Sequence, residues 1–252
     1  MTTGDVVVDV SQDWALACNF QQRFMQGFGR NRGSVDSSAR CRQLHALGGD
    51  CYDFMPLSED RLALLVGDAS GKSLAAALMI ASVQSSLRTA ALFTRNDLAA
   101  LLKVVNHQAY TSSSTDRYAT LFYGIVDATT RTLRYVNAGH NPPLVFRRNG
   151  SIQWLEKGGA PVGMFPDSTY EESAVQLDPG DLVIAYTDGI IEAVNPSGEE
   201  WGVQGLLQTI TAWATQSAGD AEDLVRFLFN AMDEFSRGYQ TDDATLAVLR
   251  VA

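Results

Sequence analysis

Apolar and polar positions along the chain change period several times, and each change marks an element. Between residues 11 and 28, Trp14, Leu16, Ala17, Phe20, Phe24 and Phe28 recur at roughly helical spacing, which predicts a short N-terminal helix. Residues 29–38, with Gly, Asn, Arg and Ser, predict a loop. The period then shortens. Residues 51–57 and 61–68 predict two strands joined by a turn at Ser58, Glu59 and Asp60. Residues 72–93 are rich in Ala and Leu without Gly or Pro and predict a long helix, with a second over 97–110. The run 111–115 (TSSST) predicts a loop.

Strand patterns return at 119–127, 132–138, 144–148 and 151–155, the last two joined through Asn149-Gly150, a dipeptide suited to a tight hairpin. Further strands fit 171–177 and 181–187, separated by Asp178, Pro179 and Gly180. Helices follow over 203–214 and 221–237, and a strand over 244–251 closes the pattern. Hairpin-rich strand runs interrupted by helix pairs predict an α+β fold with mainly antiparallel sheets, not alternating βαβ units. A pair of sheets with helices packed outside accounts for the order. No linker rich in Pro, Gly or Ser divides it, so the expected organisation is a helical extension over residues 1–30 and one domain over 31–252.

Composition narrows the function classes. The 252 residues are 46% hydrophobic and 19% charged, ordinary for a globular protein. With 19 basic against 29 acidic residues the formal charge is −10, a surface that repels nucleic acid phosphates and anionic lipid. Cys18, Cys41 and Cys51 have no CxxC spacing, which argues against a zinc site and for a reducing compartment. The first residues carry acids where a signal peptide carries Lys or Arg, and the apolar stretch 74–83 is too short to cross a bilayer. These readings predict a cytoplasmic protein with neither nucleic acid nor membrane as partner.

Four segments place Asp beside a small residue or another Asp at a strand boundary: Gly48-Gly49-Asp50, Gly67-Asp68-Ala69-Ser70-Gly71, Thr187-Asp188-Gly189 and Thr241-Asp242-Asp243-Ala244-Thr245. Taken singly, each is explained by turn formation. Taken together they suggest carboxylates held for a purpose. Converging carboxylates repel one another and raise each other's pKa, and divalent ions relieve that repulsion. Oxygen-only ligands favour Mg²⁺ or Mn²⁺ over zinc or copper. Spacing alone does not bring these segments together.

The strings GGDCYDFMPL, RLALLVGDASGKSLAAALM, TLFYGIVD, LRYVNAGHNPPLVFR, GAPVGMF, LDPGDLVIAYTDGIIEAVNPSGEEWG and TDDATLAVLRV resemble, in order, motifs of the bacterial RsbU/SpoIIE-type serine/threonine phosphatases of the PPM (protein phosphatase 2C) superfamily. The likeness covers about residues 38–251. It implies an αββα sandwich binding two Mn²⁺ or Mg²⁺ ions at one edge. Carried over by position, Asp68 would bridge both ions, Asp188 and Asp242 would hold the first, and Asp50 with the Ala69 carbonyl the second. Asp243 competes with Asp242, and Asp242 is preferred as the first acid of its motif. The implied reaction is in-line attack on phosphoserine or phosphothreonine by a metal-bridged water, with no Cys or Ser nucleophile. The implied substrate is a phosphorylated STAS-domain anti-sigma-factor antagonist in a partner-switching pathway. An upstream sensor or activator and a second copy of the chain are further partners that the analogy allows. A signal would arrive through a partner docking on the N-terminal helix, or the chain is a piece of a longer protein. Two rival readings are a phosphoprotein-binding module without turnover and a phosphatase of small phosphoesters.

Ser70 stands where many eukaryotic relatives carry a His proposed as general acid. His140 is read as a turn residue and His107 as a helix-face residue. Gly71-Lys72-Ser73 lacks the GxxxxGK[ST] spacing of a phosphate-binding loop, since Val66 precedes Gly71 by five. Asp53 and Glu192 are supporting candidates beside the ligands, and residues 72–110 are a candidate switch by analogy.

Overall fold

The computed structural model describes residues 10–25, 34–93, 97–113, 117–216 and 219–252. Among them the chain order is α1 (Val10–Phe24), β1 (Val35–Arg42), β2 (Asp50–Pro56), β3 (Arg61–Ala69), α2 (Leu74–Phe93), α3 (Leu98–Ser112), β4 (Ala119–Asp127), β5 (Thr132–Ala138), β6 (Leu144–Phe146), β7 (Ile152–Trp154), β8 (Gly158–Gly159), β9 (Ser173–Gln176), β10 (Leu182–Tyr186), α4 (Asp188–Ile191), α5 (Gly202–Gln216), α6 (Ala221–Ser236) and β11 (Ala244–Val251). One sheet runs β1-β11-β10-β6-β7; the other runs β2-β3-β4-β5-β8, with β9 also paired to β5. All named pairs are antiparallel except β5 with β8.

The α+β expectation and its two antiparallel sheets hold, and the strands' alternation explains the layers. Along β3, Leu62, Leu64 and Val66 point between the sheets and meet Val183, Ala185, Ala247 and Leu249. Ala63 and Leu65 point outward, onto Ile80, Val83 and Leu87 of α2 and Leu101 and Leu102 of α3. On the other sheet, Ile184 of β10 and Leu246 and Val248 of β11 pack against Leu206 and Ile210 of α5 and Leu224, Leu228 and Phe229 of α6. A strand buried on both faces reads as a continuous apolar run, which is why β3 and β11 stand out in sequence. Helix caps follow local rules: Asp97 accepts from Ala100 N at 2.8 Å and Asp220 from Asp223 N at 2.8 Å.

Several boundaries differ from expectation. The predicted loop at 29–38 ends early, because β1 starts at Val35 and pairs with β11 (Val35 opposite Val251). Its polar sequence, VDSSARCR, is the mark of an edge strand with one face against the core. The α3 helix runs through Thr111 and Ser112, and residues 114 and 115 of the predicted TSSST loop lie outside the described residues, as do 26–33. The short elements β8 and α4 were not predicted. By length and composition α2 could cross a bilayer, which the shorter span 74–83 missed; half of its most apolar window is buried in the protein.

Candidate active site

Four strand ends meet at one edge of the sandwich. The β2/β3 register sets Asp50 directly opposite Asp68. In the other sheet β10 ends beside the start of β11, with Thr187 N donating to Thr245 O at 3.0 Å. Asp188 therefore opens α4 where Asp242 and Asp243 lead into β11. Asp68 continues the Leu62-Leu64-Val66 alternation, so its carboxylate emerges between the sheets.

Asp50 joins the two sheets. Its side chain is buried (1% exposed), and its Oδ2 accepts from Thr187 Oγ1 at 2.8 Å and Thr245 Oγ1 at 2.6 Å. Thr187 Oγ1 in turn accepts from Thr245 N at 2.9 Å. The two threonines were not singled out in the sequence; their only signal was adjacency to the acidic motifs.

Asp242 and Asp243 are held differently. Both oxygens of Asp243 accept backbone N–H groups, Oδ1 from Leu44 at 2.7 Å and Oδ2 from Gly49 at 2.8 Å, so this carboxylate anchors the loop before β2. Asp242 Oδ1 accepts from Asp243 N at 2.9 Å, and its Oδ2 pairs with Lys72 Nζ at 2.8 Å. Asp188 Oδ1 accepts from Gly189 N at 2.8 Å.

Close backbone approach fixes two glycines. A Cβ on Gly189 would lie 1.9 Å from the Asp243 carbonyl oxygen, and one on Gly49 would lie 2.9 Å from Ala69 O and 3.1 Å from Asp68 Oδ1. The Ala69 carbonyl thus sits against the Gly49-Asp50 loop, which Ala69 N also meets by donating to Gly49 O at 3.0 Å.

The electrostatics follow from this convergence. Burial, then the charges of Asp188, Asp242 and Asp243, push the Asp68 carboxyl up to about 7. Burial and the charge of Asp68 raise Asp50, and burial and Asp242 raise Asp188. The carboxylates repel one another, yet among the described residues no three His, Cys, Asp or Glu side chains close into a ready ligand set. The donors are all oxygens, a set suited to hard divalent cations, whose charge removes the repulsion. Burial also raises the thiols of Cys41 and Cys51, with Asp50 adding to both, so neither is an activated nucleophile.

The supporting candidates separate. Asp53 points to the opposite face of β2, away from the cluster, where Arg88 holds it (Nε–Oδ2 2.5 Å). Its place beside Asp50 in the sequence was misleading, because side chains two faces apart alternate every residue. Glu192 follows α4, and its carboxyl is raised by burial and by Asp188. His140 is buried, with Nδ1 2.9 Å from Thr120 Oγ1, and its backbone N–H donates to Asn137 Oδ1 at 2.7 Å. His107 lies on α3, where its carbonyl accepts from Thr111 Oγ1 at 2.8 Å. Ser70 Oγ accepts from Tyr118 N at 3.2 Å.

Comparison with known proteins bears on the family and the fold. Residues 58–252 match the family model described as Stage II sporulation protein E (SpoIIE). Protein IcfG of Synechocystis sp. is 32% identical over 193 residues, 66% of this chain but 30% of that protein. Phosphoserine phosphatase RsbU of Bacillus subtilis is 23% identical over 248 residues, 96% of this chain and 71% of that protein. Among solved structures, the SiaA-PP2C domain of Pseudomonas aeruginosa superposes with a TM-score of 0.82 at 19% identity, covering 96% of this chain and 97% of that one. That likeness establishes the fold.

Proposed function

We propose, from the premise that this chain belongs to the SpoIIE family of PP2C-type proteins, that it removes phosphate from phosphoserine or phosphothreonine in a partner protein with the aid of divalent cations. The observation that carries this reading is the meeting of Asp50, Asp68, Asp188 and Asp242 from both sheets at one edge, with Asp68 pushed up to about 7 by burial and its acidic neighbours. Asp68, Asp188 and Asp242 would hold one Mn²⁺ or Mg²⁺ ion, and Asp68, Asp50 and the Ala69 carbonyl would hold another. Bound there, such ions supply an activated water and offset charge on a phosphoryl group. The chain's own part is to orient the oxygens: the two threonine hydroxyls turn Asp50, and Asp243 fixes the loop that carries it.

A protein substrate is supported by relatives named phosphoserine phosphatases, RsbU and RsbP. A solved structure of RsbU and RsbW domains, 25% identical over 86% of this chain, supports a place in partner switching; the substrate we propose there is a phosphorylated STAS-domain antagonist. The test is phosphate release from a phosphoserine-bearing STAS protein in Mn²⁺. Turnover that EDTA abolishes and Asp68→Asn lowers at least about a hundredfold is expected. Undiminished turnover in the variant would overturn the assignment. Equal turnover of a simple aryl phosphate would instead point to small esters.

A further inference from the structure

Lys72 stands among the acids at the mouth of the site. It sits in the bend between β3 and α2, four residues beyond Asp68, where Gly71 turns the backbone at φ +90°. Its ammonium crosses to the other sheet, donating to Thr241 O at 2.9 Å and pairing with Asp242 Oδ2 at 2.8 Å. The Asp242 segment is itself held: Gln240 Nε2 donates to Asp242 O at 2.7 Å and to Arg42 O at 2.9 Å. Since Asp242 Oδ1 accepts the Asp243 amide, Oδ2 is the oxygen free of backbone partners, and Lys72 occupies it.

We infer that Lys72 is a built-in counter-ion of Asp242 which a divalent cation must displace, so that this lysine sets the metal affinity of the site. The inference rests on the reading of Asp242 as a metal ligand. The physical argument is competition for one oxygen. An ammonium at 2.8 Å and a divalent ion cannot share Oδ2 without strong repulsion, which falls only as the lysine moves away. Lys72 can move, because half of its side chain is exposed and its stem is flexible. An Asp242 without this partner would offer its oxygen to the cation with nothing to displace.

The test is calorimetric titration of Mn²⁺ into EDTA-stripped, dialysed protein, comparing wild type with Lys72→Met and Lys72→Arg. The expected result is binding about five- to tenfold tighter in Lys72→Met, with Lys72→Arg close to wild type, and a gap that narrows in high KCl. Equal or weaker binding by a folded Lys72→Met, beside measurable binding by wild type, overturns the role of Lys72 alone. Failure of wild type itself to bind Mn²⁺ overturns the metal reading and this inference with it. Lys72→Gln, also uncharged but polar, gives the same readout should Lys72→Met fail to fold.

Discussion

At the scale of single residues, burial decides which groups carry charge. His140 is enclosed between the sheets, and burial holds its imidazole down to about 4, below the ordinary value near 6.5. Above pH 6.5 the folded and unfolded chains both carry it neutral, so no stability difference arises. As pH falls from 6.5 towards 4, the unfolded chain takes up a proton that the folded chain refuses, and stability drops. The loss attributable to this group is about 3 kcal/mol at its full extent. Urea unfolding of wild type and His140→Gln between pH 7 and 4.5 checks it. Wild type is expected to lose stability more steeply in acid than the variant, and parallel curves would contradict the neutral, buried imidazole.

At the scale of elements, α1 is tied to both the long helix and the loop that carries Asp50. The Phe24 carbonyl at its end accepts from Gln84 Nε2 at 2.9 Å and from Arg88 Nη2 at 3.3 Å, both on α2. Arg88 and Gln84 also grip Asp53, whose side chain is 0% exposed. Nearby, Gln21 Nε2 donates to Gly48 O at 2.7 Å while its Oε1 accepts from Gly48 N at 3.2 Å. Removing Arg88 leaves a buried carboxylate with Gln84 as its remaining side-chain partner among the described residues. Arg88→Ala is expected to cost about 2 kcal/mol, less than for a dry ion pair because the Arg88 side chain is 42% exposed to water. Chemical denaturation measures it, and Arg88→Lys, lacking the fork geometry, should fall between.

At the scale of the molecule, the mutual repulsion of the carboxylate cluster, offset in part by Lys72, works against folding on top of a formal charge of −10. Mn²⁺ at a hundredfold excess over its dissociation constant is expected to stabilise the protein by about 2.7 kcal/mol. For a domain of this length that is a rise of roughly 5–10 °C in Tm. A thermal melt with Mn²⁺, then with EDTA, checks it; the rise should vanish in EDTA and shrink in Asp68→Asn. An unchanged Tm in wild type would count against ion binding at this edge.

Much of the fold could be read from residues alone. The bounds of β4 and β5 match the predicted strands residue for residue, because strand patterns stopped by turn residues leave a clear local signal. The Asn149-Gly150 hairpin is equally local: Gly150 takes φ +84° there. The acidic segments were also visible, as Asp next to Gly at strand ends. Other features depended on partners far along the chain. The edge strand β1 looks like a loop until β11 pairs with it, and β8 exists because two glycines fit against β5, where a Cβ on Gly158 would lie 1.7 Å from Asn137 O. The contacts of each acid within the site likewise depended on packing. Local sequence cannot tell Asp242 from Asp243, or predict that Asp53 faces away while Lys72 crosses to Asp242. A strand's period of two fixes which side chains share a face, but only the docking of two sheets determines which faces meet.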